Sequence, residues 1–385
     1  MSAAPIVIVG AGMAAYGVAR ELRKLDQATP LLMVASDAAA AYAKPMLSNA
    51  IALGKGAHQI ASSSAEQMAA QLNARILAHT RIEAIDSAAR TISTAQGEVI
   101  AYSKLVLALG ARPIRLPLDG DAAAELLSVN HLDDYAVLRA RLDALGRPAR
   151  VAILGAGLIG CEFADDLSSG GHAVTLVDPN PRPLAALAAP SLSHGLTLAW
   201  ERRVALRLGT SAASVTRGAD GLLLTLADGG TLQADLVISA VGLRPDVALA
   251  QAAGLATRRG ILVDAFGQTS ASDIYALGDC AEYVTDGGSS VLPYVAPLLA
   301  AARAIGATLA GTPTRIAHKA DAVIVKTPSY KLALAPPPPG TAGQWVDQHD
   351  GERIIARFID AAGSVRGFGL SAHTPALRAQ LQAEL

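Results

Sequence analysis

Short runs of apolar residues, each bounded by glycine, proline or a charged residue, recur along this chain. The run at 6–9 is followed by Gly-Ala-Gly, and the run at 151–154 is followed by the same three residues. Each run has the length of a buried strand, and the stretch after each glycine pair has the pattern of a helix. Another apolar run follows each copy and ends near an acid, Asp37 in the first and Asp178 in the second. The pattern therefore predicts an α/β fold in which one strand–turn–helix unit occurs twice.

The remaining apolar runs predict further strands and a change of architecture towards the carboxyl end. From about Ala317 the pattern changes, and the consecutive prolines within Pro336–Gly340 cannot donate hydrogen bonds to a strand ladder. We predict a loop there and a small α+β domain around it, from the order of its elements. The other strands are predicted at 31–34, 75–85, 105–109, 174–177, 222–226, 236–241, 261–263, 274–277, 322–326, 354–359 and 365–369.

The two glycine turns have the residue types that a dinucleotide site needs. A helix amino terminus offers free N–H groups and the positive end of its dipole to a pyrophosphate. The first glycine permits the tight turn, the second lets the backbone approach the phosphate, and a third small residue lets helix and strand pack closely. These roles fit Gly10, Gly12 and Ala15 in the first copy, and Gly155, Gly157 and Gly160 in the second. The sequence thus predicts two Rossmann-like domains; the alternative is two structural turns without a ligand.

The acids that follow the glycine turns predict which nucleotide each turn prefers. A carboxylate at Asp178 would accept hydrogen bonds from the ribose hydroxyls of NADH and repel the 2′-phosphate of NADPH. Arg182 lies close in sequence and could weaken that preference. Asp37 lies slightly late after its strand, so its assignment to a ribose is weaker. The alternative for either acid is a cap on the segment that follows, because Asp is common there.

Composition excludes several other classes of protein. The 385 residues suffice for two or three domains, and 51% of them are hydrophobic, which argues against global disorder. The formal net charge is −1 without a block of like charges, so we expect no nucleic-acid partner. The most apolar stretch, 294–309, carries Arg303 and falls short of a membrane helix. The apolar amino terminus lacks the basic leader of a signal peptide, and we expect a cytoplasmic protein without membrane association.

The two cysteines, Cys161 and Cys280, are too few and too far apart for a redox pair or an iron–sulfur cluster. The eight histidines show no spacing typical of zinc ligands, and we predict no metal site. Both cysteines are expected to be small buried residues without a redox role. Any redox chemistry must therefore rely on an organic cofactor.

Three further motifs resemble those of the two-domain flavoprotein disulfide reductase superfamily. LVLALGARP at 105–113 is similar to the crossover between its domains, although Leu109 replaces the usual threonine. ISAVGLRP at 238–245 is similar to the return crossover, and TSASDIYALGDCA at 269–281 to the second FAD motif. The resemblance implies an FAD-binding domain at 1–112 and 238–316, split by an NADH-binding domain at 113–237, with a C-terminal domain at 317–385. The superfamily's dithiol is missing, so electrons would leave the flavin directly.

Within this superfamily the chain most resembles the NADH:rubredoxin reductases of alkane-degrading bacteria. YAKPMLS at 42–48, GAGLIGCEFA at 155–164 and VKTP at 325–328 carry that resemblance, which covers essentially the full chain. It implies positioning and electrostatic roles for Lys44, Glu162 and Lys326, since the chemistry itself occurs on the flavin. Taken singly, each lysine could instead be a solvated surface residue. The implied FAD residues are Gly10, Ala11, Gly12, Met13, Ala15, Asp37, Lys44, Pro45, Ile82, Asp279, Val295 and Lys326, and the implied NADH residues are Gly155, Gly157, Gly160, Glu162, Asp178 and Gly242.

The resemblance also implies the reaction. Hydride would pass from NADH to FAD with the reacting atoms held about 3–3.5 Å apart, and single electrons would then pass to rubredoxin. The acceptor would in turn supply an alkane hydroxylase or an oxidative-stress pathway. Alternatives are a reductase of flavorubredoxin or of a ferredoxin, and an NADH oxidase or peroxidase, which would require a redox cysteine where Lys44 and Ser48 lie. A redox-sensing flavoprotein with little turnover is an alternative of another class.

Overall fold

The chain divides into two compact units in a computed structural model that describes residues 4–285, 288–317 and 321–385. The first unit comprises Met1–Lys44, Ala61–Arg112 and Leu243–Lys319, and the second comprises Pro45–Ile60, Pro113–Gly242 and Ala320–Leu385. Residues 45–60, which the sequence assigned to the FAD domain, thus group with the second unit. The C-terminal segment groups there too, while residues 318–320 at its predicted start lie outside the described residues.

Helices follow single strands around the two glycine turns, and runs of consecutive strands occupy much of the rest of the chain. The strands are β1 (Ile6–Val9), β2 (Leu31–Val34), β3 (Ala41–Tyr42), β4 (Ala61–Ser63), β5 (Arg75–Leu77), β6 (Ile82–Asp86), β7 (Thr91–Thr94), β8 (Val99–Ala101), β9 (Lys104–Leu107), β10 (Ala111–Pro113), β11 (Arg150–Leu154), β12 (Ala173–Asp178), β13 (Val204–Leu208), β14 (Ala212–Gly218), β15 (Gly221–Leu226), β16 (Thr231–Ala234), β17 (Leu236–Ser239), β18 (Leu243–Pro245), β19 (Ile261–Val263), β20 (Ile274–Ala276), β21 (Ala281–Thr285), β22 (Gly288–Val291), β23 (Val323–Val325), β24 (Leu332–Ala335), β25 (Gly343–Asp350), β26 (Arg353–Asp360) and β27 (Val365–Ser371). The α-helices are α1 (Met13–Leu25), α2 (Ala57–Ile60), α3 (Ala65–Leu72), α4 (Leu132–Ala144), α5 (Leu158–Ser169), α6 (Pro190–Trp200), α7 (Ala248–Ala252), α8 (Val295–Leu309) and α9 (Pro375–Gln382), and 3-10 helices occupy Lys44–Ser48, Ala123–Glu125 and Gly278–Cys280.

The first unit is built on a five-stranded parallel sheet in the order β20-β9-β1-β2-β5. Every residue of β1 and β2 is buried, as expected for central strands of a parallel sheet that is covered on both faces. Helix α1 follows β1 directly and packs against α8. Gly17 permits this contact, because a Cβ there would lie only 3.1 Å from the Cβ of Ala302.

The second unit combines one parallel sheet with two antiparallel sheets, the smaller of which has the order β14-β15-β16. The order β13-β12-β11-β17 forms the parallel sheet, and helix α5 packs on β11 and β12. The C-terminal segment forms a five-stranded antiparallel sheet in the order β23-β24-β27-β26-β25, with Phe368, Leu370 and Leu381 in its core. The C-terminal segment is thus a small α+β substructure, as the element order predicts.

One predicted strand is divided in the structure, and a long strand is present that was not predicted. The run predicted at 75–85 is two strands, β5 and β6, in separate sheets, and His79 between them has a positive φ of 50° that ends the first. Strand β25 was not predicted, because nearly all of its residues are exposed and the alternation that marks a half-buried strand is absent. Over the described ranges, the longest apolar helices are too short or too polar to cross a membrane.

Candidate functional site

The first glycine turn has the geometry of a phosphate cradle. Gly10 has a φ of +121°, and a Cβ there would lie 2.4 Å from the carbonyl oxygen of Ala108, so only glycine fits. Around Gly12 the space within 4 Å of a Cβ is empty of protein atoms. Gly12 also caps α1 without a side-chain hydrogen bond, so the N–H groups of the first turn point to this open space. The buried Ala15 lies one turn further along the helix, and the arrangement fits a dinucleotide pyrophosphate.

The second glycine turn repeats this geometry. Gly155 has a φ of +104°, and a Cβ there would lie 2.6 Å from the carbonyl oxygen of Ala240. Gly157 caps α5 without a side-chain hydrogen bond and faces open space. A Cβ at Gly160 would lie 1.8 Å from the carbonyl oxygen of Gly155, so no other residue fits this close approach of helix and turn. The cradle therefore fits a second dinucleotide.

Asp178, at the end of β12, is tied to the second turn. Its Oδ2 accepts a hydrogen bond of 2.6 Å from Ala156 N, and its Oδ1 accepts from Asn180 N and Nδ2 at 2.7 and 2.8 Å. The carboxylate thus holds the turn and caps the next segment, and ribose hydroxyls would be additional partners. Arg182 is occupied elsewhere, because its guanidinium donates to the carbonyls of 185 and 188 and to Ser193 Oγ. These contacts therefore give no support to the expectation that Arg182 weakens the preference for NADH over NADPH.

Asp37 lies at the corresponding place in the first unit but is less buried. Its Oδ1 accepts a hydrogen bond of 2.9 Å from Ala39 N, which closes a local turn. The Tyr16 hydroxyl of α1 donates to the carbonyl oxygen of Ala39. Burial, together with the nearby Asp37 carboxylate, raises the pKa of Tyr16 to about 12. Asp37 thus closes the turn at 37–39, to which Tyr16 of α1 is also hydrogen-bonded.

Lys44 and Asp279, both predicted to serve FAD, lie together in the first unit. Lys44 Nζ is 3.6 Å from Asp279 Oδ2, and the side chains are 36% and 20% exposed. Asp279 lies in a 3-10 turn whose Gly278 has a φ of +75°. Val295 is the first residue of α8 and is exposed, whereas Ile82 is the buried first residue of β6. The structure therefore places a cation, Lys44, beside an anion, Asp279, near the end of the 269–281 motif, with both side chains partly open to solvent.

A buried charged cluster in the second unit joins Glu162 to Lys326. Glu162, two residues after Gly160 on α5, is 1% exposed. Its Oε1 accepts from the backbone N of Lys326 at 3.0 Å, and its Oε2 forms an ion pair with Lys326 Nζ. Ser48 Oγ donates to Glu162 Oε2 at 2.6 Å, and Lys326 Nζ donates to Ser48 Oγ at 3.2 Å. Two predicted site residues are thus in direct contact, with Ser48 as a third member.

This cluster balances its own charge. A buried carboxylate is stable only when it is paired and its remaining lone pairs are hydrogen-bonded, and Glu162 meets both conditions. The Lys326 side chain keeps 28% of its surface exposed, so the cluster is not sealed from solvent. The sequence predictions left out Ser48 as a site residue, although it ends the 42–48 motif and that motif was the available signal.

The remaining predicted residues occupy supporting places. Pro45 lies in the 3-10 helix Lys44–Ser48, in the part that belongs to the second unit. Gly242 follows β17 with a φ of +111°. Cys161 and Cys280 are buried free thiols, and burial raises the pKa of both, that of Cys280 to about 11. Buried protonated thiols are poor nucleophiles, which agrees with the absence of a cysteine redox role.

Two parallel sheets, each opening on an equivalent phosphate cradle, are the architecture of an oxidoreductase that uses two dinucleotides. Residues 4–304 match the model of the pyridine nucleotide-disulphide oxidoreductase family, and the chain belongs to this family. Residues 315–385 match a second model, described as a rubredoxin binding C-terminal domain. The predicted fold class and the predicted use of FAD and NADH are confirmed by this membership.

Individual relatives indicate more specifically which proteins of the family this chain resembles. The chain is 42% identical to the rubredoxin-NAD(+) reductase of Alcanivorax borkumensis, over 99% of this chain and 98% of that protein. It is 39% identical to the nitric oxide reductase FlRd-NAD(+) reductase of Aeromonas hydrophila, over 97% and 95% of the two chains. A solved structure of a covalent putidaredoxin reductase–putidaredoxin complex superposes with a TM-score of 0.89 at 26% identity, covering 100% of this chain and 93% of that one. The predicted resemblance to rubredoxin reductases is confirmed.

Proposed function

We propose that this protein is an FAD-dependent NADH:rubredoxin oxidoreductase. The observation that carries the proposal is the rubredoxin-binding match at 315–385, on a chain whose remainder belongs to the pyridine nucleotide-disulphide oxidoreductases. FAD, when bound, takes a hydride from NADH and releases electrons singly, which suits a one-electron acceptor. Buried thiols leave no cysteine to serve as an intermediate carrier. The acceptor would therefore receive electrons from the flavin itself.

In this proposal each unit's glycine turn holds one nucleotide. The turn of the first unit, with Gly10, Gly12 and Ala15, would bind the pyrophosphate of FAD, and the Lys44–Asp279 pair would contact the flavin end. The turn of the second unit, with Gly155, Gly157 and Gly160, would bind NADH. Further FAD residues would be Ala11, Met13, Asp37, Pro45, Ile82, Val295 and Lys326, and further NADH residues Glu162, Asp178 and Gly242.

The charged side chains would position and stabilise, because hydride transfer between two aligned cofactors needs no acid or base. Lys44 would counter negative charge on the reduced flavin, and Lys326 would add to that electrostatic effect. Glu162 would fix Lys326 and help to orient the nicotinamide. Asp178 would favour NADH over NADPH by accepting from the ribose hydroxyls.

We further propose a cytoplasmic location, where NADH is available, and a role in supplying an alkane hydroxylase or an oxidative-stress pathway through rubredoxin. The second candidate is a flavorubredoxin reductase, which the 39% identity to the Aeromonas hydrophila protein favours. A ferredoxin reductase is the related third case, given the putidaredoxin reductase fold.

Anaerobic stopped-flow mixing of the FAD-loaded protein with NADH, followed by one acceptor at a time, tests the proposal. We expect NADH to bleach the flavin absorption and rubredoxin to restore it faster than flavorubredoxin or a [2Fe–2S] ferredoxin does. A flavin that stays reduced with rubredoxin would refute the acceptor. A flavin that NADH never bleaches would refute the reaction.

A further inference from the structure

Helix α5 carries three buried carboxylates on one side. Glu162, Asp165 and Asp166 are 1%, 0% and 4% exposed, and their spacing places them on the same helix face. Glu162 belongs to the cluster with Ser48 and Lys326. The other two have no role in the function proposed above.

Asp165 fastens the turn that follows Lys326. Its Oδ1 accepts from Trp200 Nε1 at 2.8 Å and from Ser329 Oγ, and its Oδ2 accepts from Ser329 N at 3.3 Å. The turn also closes on itself, because Tyr330 N donates to the carbonyl of Thr327 at 2.9 Å and Thr327 Oγ1 donates to the carbonyl of Tyr330 at 2.7 Å. Lys326 therefore enters the cluster from a turn that Asp165 holds in place.

Asp166 fastens the segment that follows Ser48. Its two oxygens accept hydrogen bonds of 2.9 Å from the backbone N atoms of Ile51 and Ala52. Burial raises the pKa of Asp166, and these backbone N–H groups oppose the rise. Ser48 thus reaches Glu162 from a segment that Asp166 holds, just as Lys326 does from the turn held by Asp165.

In the part of the chain that the structure describes, neither Asp165 nor Asp166 is held by an ion pair. Among the contacts of the described residues, Asp165 and Asp166 accept hydrogen bonds only from neutral donors. A buried carboxylate without a cation is unfavourable compared with an apolar side chain of similar size. Stability alone therefore does not account for two adjacent carboxylates at this place, whereas fixing two distant chain segments beside Glu162 does.

We propose that Asp165 and Asp166 are positioning residues that deliver Lys326 and Ser48 to Glu162, each through its own chain segment. For Lys326 the functional part of this inference rests on the proposed function, in which its ammonium group acts on the flavin. The two aspartates make separable predictions, because among the described residues the Asp165 side chain accepts hydrogen bonds from Ser329 and Trp200, and the Asp166 side chain from the backbone at 50–52.

Matched Asp165→Asn and Asp166→Asn variants of the FAD-loaded protein test the inference by hydrogen–deuterium exchange. Each change keeps the shape but turns one accepting oxygen into a donor that faces an N–H group. We expect exchange at 326–330 to rise about tenfold or more in Asp165→Asn and to stay at the wild-type level in Asp166→Asn. Exchange at 51–52 should show the opposite pattern. If both variants loosen both segments equally, separate positioning is refuted.

The midpoint potential of the bound flavin then tests whether Asp165 acts through Lys326. Lys326→Met should shift that potential, since removal of a positive charge destabilises the reduced flavin. Asp165→Asn should shift the midpoint potential in the same direction. The double variant Asp165→Asn/Lys326→Met should have the same potential as Lys326→Met alone. Asp166→Asn combined with Lys326→Met should give the sum of the single shifts. Additive shifts for Asp165→Asn and Lys326→Met would overturn the positioning role.

Ser329→Ala provides a gentler probe should Asp165→Asn unfold the protein. It removes one donor to Asp165 and leaves the buried charge and Trp200 in place. Ser371→Ala is its control, because Ser371 is a buried serine of β27, in the sheet whose strands β23 and β24 flank the turn, and its hydroxyl accepts from Ile354 N instead of contacting Asp165. Only Ser329→Ala should raise exchange at 326–330; an equal rise in Ser371→Ala would refute the specific anchor. These exchange patterns do not require turnover, so failure of the proposed reaction would show separately as unbleached flavin.

Discussion

The two units use the same glycine turn but treat the helix behind it differently. Gly17 and Glu162 each lie five residues after the second glycine of their turn. In the first unit Gly17 lets α1 close against α8, so the helix face is sealed by apolar packing. In the second unit Glu162 instead receives Ser48 and Lys326. One architecture therefore provides an apolar, packed helix face in one unit and a charged helix face in the other.

The largest expected effect distinguishes the two glycine turns by the nucleotide that each one binds. Gly12→Val should lower FAD incorporation by about tenfold or more, because the branched side chain fills the space that the pyrophosphate needs. A Cβ at Gly12 would meet no atom of another segment within 4 Å, so we expect the fold itself to tolerate the change. FAD content after purification, read from the absorption spectrum, is the measurement.

Gly157→Val is the matched change in the second unit and has the same open surroundings. It should keep FAD and raise the KM for NADH. A normally yellow Gly12→Val protein, or a Gly157→Val protein that loses its FAD, would show that the turns are assigned to the wrong nucleotides.

The next largest effect is a loss of stability when Glu162 on the charged face of α5 is changed. Glu162→Gln should lower the free energy of unfolding by about 2 kcal/mol, because the Lys326 ammonium loses its counter-ion. The cost should stay below that of a fully buried pair, since Lys326 is partly exposed and can turn to solvent. Urea unfolding of the FAD-loaded protein measures it. The double variant Glu162→Gln/Lys326→Met should regain part of the loss, and a double variant less stable than Glu162→Gln would contradict the pairing.

A smaller effect is expected at the strand ends. Asp178→Ala should reduce the preference for NADH over NADPH by about tenfold, since the hydroxyl acceptor and its repulsion of a phosphate are both lost. The ratio of kcat/KM for the two nucleotides is the measurement. Because Asp178 also holds Ala156 N, Asp178→Asn is the better-matched variant for separating charge from turn geometry. An unchanged ratio in both variants would remove the ribose role.

The smallest expected effect is a loss of stability at alkaline pH, to which one tyrosine in each unit contributes. Burial raises the pKa of Tyr16 in the first unit and of Tyr135 in the second from 10.0 to about 12. The folded protein then holds these protons more tightly than the unfolded chain, so their contribution is complete below pH 10 and is lost between pH 10 and 12. Across this range, the free energy of unfolding should depend less steeply on pH in Tyr16→Phe and in Tyr135→Phe than in the wild-type protein. A pH dependence identical to wild type in both variants would contradict the assignment.

The sequence predicted those parts of the site that depend on local backbone geometry. Gly10 and Gly155 must adopt a positive φ beneath a neighbouring carbonyl, and such a demand leaves a visible pattern of glycines. Lys326 and Glu162 were predicted from family motifs, and the structure then placed them in contact. Strand β25 escaped prediction because its exposed residues lack an alternating pattern.

The anchors on α5 could not be predicted in this way. Asp165 meets Ser329 across 164 positions and Asp166 meets Ile51 across 115, and no periodicity or spacing rule connects residues so far apart. The grouping of 45–60 with the second unit has the same origin, since this segment contacts residues 80 to 115 positions further along the chain.

These separations also bear on how the protein is made. Glu162 obtains its partners from 114 positions upstream and 164 downstream, so two long loops must close before its charge is neutralised. Contacts of this kind form slowly compared with helices and local hairpins. During synthesis, the carboxylates of Glu162 and Asp165 must therefore remain hydrated until Lys326 and Ser329 have left the ribosome. We expect the cluster of Ser48, Glu162 and Lys326 to form only after translation of the final segment, so that an interrupted chain would leave Glu162 without its cation.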